Sequence, residues 1–88
     1  MSFQTVHNHQ EGVVYELITA IAPHYPALSG NEELLADVAC VALNLLSPRY
    51  IRHEVDLLFF TTEGERALNQ AAARKAVEAA FERIGRSG

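Results

Sequence analysis

Only one cysteine occurs among the 88 residues, so no disulfide can form within the chain and nothing points to an oxidising compartment. Basic residues are also few: Lys and Arg number seven against eleven Asp and Glu, a net charge of −4 with neutral histidines. Nucleic-acid binders normally show the opposite balance. No apolar run approaches the length of a membrane span, and no charged-then-apolar leader opens the chain. The expectation is a cytoplasmic protein that binds neither DNA nor a membrane. A glycine-rich phosphate loop, a strand–Ser–helix elbow and a cysteine with an evident histidine partner are all missing. No two of His7, His9, His24 and His53 have the i, i+4 spacing of a helical metal pair. The carboxylates Glu32, Glu33 and Asp37 read as charges that complement a helix start. Neither catalysis nor a metal or cofactor is expected.

What is present is a core. Hydrophobic residues make up 49% of the chain, too many for a disordered segment. Eighty-eight residues make one small domain, near the size at which oligomerisation often adds stability. Residues 1–7 read as an arm with weak alternation through Phe3 and Val6. Asn8-x-x-Glu11 has capping spacing and opens a helix carrying Val14, Leu17, Ile18 and Ile21 at helical intervals, with Gln10 and Glu16 among its polar positions; Pro23 closes it. Residues 24–30 hold two prolines and a glycine and read as a connection without a helix. Ser29-x-x-Glu32 signals the next helix, which begins at about Asn31.

That second helix is the centre of the chain. It is apolar over most of its circumference through Leu34, Leu35, Val38, Val41, Ala42, Leu45 and Leu46, and it is expected to be packed on several sides. Glu33, Asp37, Cys40 and Asn44 fall on one stripe, and Cys40, among small apolar neighbours, is expected to be buried and inert. Pro48 stops the helix. The period then changes to two: Ile51, His53, Val55, Leu57 and Phe59 alternate with Tyr50, Arg52, Glu54, Asp56, Leu58 and Phe60, which predicts a strand. Thr62-x-x-Glu65 caps a last helix with a narrow stripe of Leu68, Ala72 or Ala73, Val77, Ala80, Phe81 and Ile84, and residues 85–88 form a frayed tail.

The order helix, helix, strand, helix makes an α+β domain that is mostly helical. A lone strand cannot satisfy its own backbone groups. Its partner is either the arm at residues 3–6 or the same strand of a second copy about a two-fold axis; a homodimer is expected.

Arg49, Tyr50 and Arg52 form the one chemically suggestive group. Guanidinium forks grip phosphates, and a phenol ring offers a stacking face, so this turn supplies what a nucleotide needs. In strand geometry Tyr50 and Arg52 share a face while Arg49 points the other way. The plainer alternative pairs the arginines with Glu54, Asp56 or Glu33 and sets Tyr50 in the core.

The run Asp37-Val38-Ala39-Cys40-Val41-Ala42-Leu43-Asn44-Leu45-Leu46-Ser47-Pro48-Arg49-Tyr50 resembles the signature of the late competence development protein ComFB family, in which an aspartate opens an A-L-N-x-L-P-P-x-Y segment. Ser47 replaces the first proline, and Asn31 and Leu34 stand where some members carry a C-x-x-C pair. A looser likeness reaches back to Asn8 and Glu16 and forward past Tyr50. Proteins similar to this one include dimeric bacterial receptors for cyclic dinucleotides. The resemblance therefore implies a ligand of that class, cyclic di-GMP ahead of cyclic di-AMP, a site drawing on Arg49, Tyr50, Arg52, Asn44 and Asp37, and a protein effector whose identity is unknown. Asn44 has a structural alternative, capping the turn at residues 47–49. From another class comes a homodimeric interaction module without a small ligand, supported by the alanine-rich stripe of the last helix.

Overall fold

A computed structural model describes residues 3–53, 55, 57 and 61–87. Its elements are β1 (His7–Asn8), α1 (His9–Ile21), a 3-10 turn (Ala22–His24), α2 (Pro26–Ser29), α3 (Glu32–Leu45), β2 (Tyr50–Ile51) and α4 (Glu63–Ser87). Helices dominate, as the sequence predicts.

Each long helix starts on a side-chain cap. The Asn8 side chain accepts from the Gln10 N–H at the head of α1. At α3 the cap is Asn31, whose Oδ1 accepts the Leu34 N–H at 3.1 Å, rather than Ser29. Thr62 caps α4 by accepting the Glu65 N–H at 3.0 Å. Two boundaries differ from expectation. The proline-rich connection holds a single helical turn, α2, because Pro26 sits in its first turn, where a missing N–H costs nothing. α4 continues through residues 85–87 instead of fraying.

α1, α3 and α4 pack around one core. α1 contributes Val14, Leu17, Ile18 and Ile21; α3 contributes Val38, Ala39 and Ala42; α4 contributes Ala73, Ala76, Val77, Ala80 and Phe81. Leu28 of α2 closes one end, and Tyr25 stacks on Phe81 with ring centroids 4.7 Å apart. α3 is covered on one side only: Asp37, Cys40 and Asn44 lie on its exposed face. Cys40 is therefore exposed, not buried, because it shares the solvent stripe of Asp37 and Asn44. Leu68 also departs from expectation, being 74% exposed.

The strand is much shorter than the alternating pattern predicts. β2 has two residues and pairs antiparallel with β1 of the same chain, His7 opposite Ile51 and Asn8 opposite Tyr50. The intrachain partner thus adjoins the arm at residues 3–6. Val55 and Leu57 have helical backbone, and Thr61 donates its N–H to the Leu57 carbonyl at 3.0 Å, closing a helical turn. Glu54, Asp56 and residues 58–60, where the rest of that strand was expected, lie outside the described residues.

Candidate functional site

Where β1, the turn after α3 and the first half of α4 meet, polar side chains replace the apolar core. Gln10 is the only polar residue buried with the core among the described residues, at 2% exposure. It sits four residues before Val14, so helical geometry aims it inward along the apolar stripe of α1. Asn69 occupies the equivalent place on α4, four residues before Ala73, and is half-buried. The two amides pair reciprocally: Gln10 Nε2 donates to Asn69 Oδ1 at 2.8 Å, and Asn69 Nδ2 donates to Gln10 Oε1 at 3.1 Å. Gln10 Nε2 also donates to the Ser47 carbonyl at 2.9 Å. Buried amides demand such partners, since an unmet one loses its hydration for no return.

Arg49 is built into the same junction. Its backbone N–H donates to Asn8 Oδ1 at 2.8 Å, its carbonyl accepts the His9 N–H, and its Nε donates to Asn69 Oδ1 at 3.2 Å. Asn8 therefore caps α1 and the helix-to-strand turn with one oxygen. Asn44, the sequence-based candidate for that turn, donates instead to the Cys40 carbonyl one helical turn earlier.

Two hollows flank Arg49 and Asn69. The smaller, about 130 Å³, is lined by His9, Val13, Arg49, Leu57, Thr61, Arg66, Asn69 and Gln70. A more open groove of about 310 Å³ is lined by Gln10, Leu45, Leu46, Ser47, Arg49, Leu68, Asn69 and Ala72. Arg66 donates from Nη1 to the Thr61 carbonyl at 3.2 Å. Tyr50 is 69% exposed beside Arg49, so it does not plug the core, and Arg52 is exposed as well. Asp37 and Asn44 line neither hollow. Of the five residues singled out in the sequence, the structure brings Arg49, Tyr50 and Arg52 to one turn and leaves Asp37 and Asn44 on the outer face of α3.

A model of the late competence development protein ComFB family matches residues 7–87. The chain belongs to the ComFB family. The match runs from β1 to the end of α4, so it spans the junction as well as the stretch that first carried the resemblance. Membership makes this a small competence-related protein. No curated protein and no solved structure gives a significant match.

Gln10, Asn69 and Arg66 were not singled out as site residues in the sequence. For the two amides a signal exists: each continues the buried stripe of its helix by one turn while being polar. Arg66 has none, because it reads as an ordinary charge in the first turn of a helix.

Proposed function

We propose that the chain is a cytoplasmic receptor for a cyclic dinucleotide, acting as a symmetric homodimer and by binding rather than turnover, which relays the ligand's presence to a protein effector. The observation that carries this reading is the bracing of Arg49. Its backbone and its Nε are held by Asn8 and Asn69, so the remaining guanidinium N–H groups are pre-positioned at the rim of two hollows. A cyclic dinucleotide carries two phosphates and two purines with near two-fold symmetry. Arg49 answers a phosphate, and the exposed ring of Tyr50 next to it answers a base. A pair of subunits would present both features twice.

Isothermal titration calorimetry with cyclic di-GMP, and with cyclic di-AMP for comparison, tests the reading. Micromolar or tighter binding at one or two ligands per dimer supports it, and the double variant Arg49→Gln with Arg52→Gln should then lose binding while remaining dimeric by light scattering. Absence of heat with both ligands, from folded protein free of carried-over nucleotide, overturns it.

A second reading has its own observation. Leu45 and Leu68, 57% and 74% exposed, face the open groove together with Ala72. Apolar residues so placed suit contact with another protein, and the chain would then serve as a homodimeric interaction module.

A further inference from the structure

The smaller hollow has a composition that the turn at residues 49–52 does not explain. Two guanidinium groups, Arg49 from the turn and Arg66 from α4, stand on its wall, together with the neutral polar side chains of Thr61, Asn69 and Gln70. No carboxylate is among its described lining residues, although the chain as a whole carries a net charge of −4. Among the described residues, no carboxylate lies within ion-pair distance of Arg49 or Arg66. Both arginines are half-buried, so two like charges line one partly enclosed hollow, with no carboxylate among its described lining residues. Two guanidinium groups on one wall favour an incoming anion.

Each guanidinium is also held in place while leaving donors over. Arg49 spends its Nε on Asn69, and Arg66 spends one Nη1 donor on the Thr61 carbonyl. Each has five N–H donors in a planar fork, and the bonds made to described residues leave four on each. Size sets the class of anion. About 130 Å³ is well below the about 300 Å³ at which pockets for drug-sized ligands begin, and it suits one tetrahedral oxyanion.

We propose that this hollow is a phosphate subsite in which Arg49 and Arg66 grip one phosphate group from two sides, with the Gln70 amide supplying a neutral hydrogen bond. Identifying that phosphate as part of a cyclic dinucleotide rests on the receptor reading; a free phosphate has the same chemistry. Arg66 then becomes a ligand-binding residue contributed by α4, the helix that also carries Ala73, Ala76, Val77, Ala80 and Phe81 into the core.

Two variants of the full chain test the proposal, with cyclic di-GMP read by calorimetry and inorganic phosphate by broadening of its phosphorus resonance. Arg66→Gln removes the second fork. Gln70→Glu places a carboxylate on the wall at an exposed helix position four residues from Arg66, where it neutralises that arginine at little cost to folding. Each variant should weaken cyclic di-GMP binding by about tenfold or more, the scale of one lost charge-assisted hydrogen bond, and should remove the phosphate broadening, with an unchanged thermal melt. If Arg66→Gln does not fold, Gln70→Glu decides alone. Cyclic di-GMP binding that persists at full strength in the folded variants overturns the subsite and leaves the receptor reading standing. Phosphate broadening in the wild type, lost in the variants, without any cyclic di-GMP binding, supports the subsite as a free-phosphate site and overturns the receptor reading. Neither ligand registering on the wild type overturns both.

Discussion

α1, α3 and α4 are joined in two places by opposite means. At one end, Val14, Val38, Ala42, Val77 and Phe81 are wholly buried, and the attraction among them is non-directional. At the other, Gln10, Asn69, Ser47, Asn8 and Arg49 are joined by hydrogen bonds with fixed partners. Alanine supplies much of the α4 face in the core, through Ala73, Ala76 and Ala80, and small smooth surfaces tolerate sliding. Packing of that kind loses uniqueness before it loses stability. The amide junction tolerates no sliding, because an amide shifted by one residue on either helix would point elsewhere. The core makes the helices associate, and the junction decides their register and where Arg49 sits.

The most severe way to break this contrast is at the core. Phe81→Ala empties a wholly buried site and removes the stacked partner of Tyr25, at a cost of about 3–5 kcal/mol. In a domain this small that is most of the stability, and circular dichroism should show a largely unfolded chain at room temperature. A melt close to that of the wild type would mean that the core does not hold the helices together.

Gln10→Leu should cost about 1–3 kcal/mol in chemical denaturation, because the Asn69 amide and the Ser47 carbonyl lose their partner. Adding Asn69→Leu should recover part of that loss, since two apolar groups facing each other are cheaper than one stranded amide. Losses that simply add would show that the pair is not coupled.

Leu68→Ser should change stability by no more than about 0.5 kcal/mol, as for other exposed positions. A larger loss in the isolated chain would return Leu68 to the core.

The smallest effect lies at high pH. Burial, then the hydrogen bond and charge of Glu82, raise the Tyr25 phenol above its ordinary pKa of 10.0. A proton held more tightly in the folded state contributes stability that is fully present below pH 10.0 and is lost as pH rises through the raised folded value. Tyr25→Phe should therefore flatten the loss of stability between about pH 9 and pH 11. Tyr15 is raised too, by burial and by Glu11, so the readout is the difference between variant and wild type.

How far the sequence revealed this molecule can be judged residue by residue. Starts of the long helices were legible because capping is local: Asn8 and Thr62 act where their spacing places them, and at α3 the cap is Asn31 rather than Ser29, two residues on. Val77, Ala80 and Phe81 were legible because period 3.6 survives along α4. Leu68 was not: five residues before Ala73 it falls well off the buried stripe, and Asn69, four before, takes the place. The strand misled for a related reason. Alternation over the eleven residues 50–60 says that every second side chain shares a face only if the chain is extended, and at Val55 and Leu57 it is helical. In the site, Arg49 was visible from its turn, whereas Gln10 and Asn69 find each other across 59 residues, a separation no local pattern reports.

That separation has a consequence for the order in which the chain folds. Caps and helical turns form from neighbours, but Asn8 with Arg49, and Gln10 with Ser47 and Asn69, join positions 37 to 59 residues apart. Closing such loops costs entropy that a few directional bonds do not offset until apolar contacts have already brought the helices together. The junction is therefore the last part to assemble and the first to open. Substitutions there should speed unfolding and leave the folding rate nearly untouched, so the arginine-bearing turn comes into being only once the rest of the protein has settled.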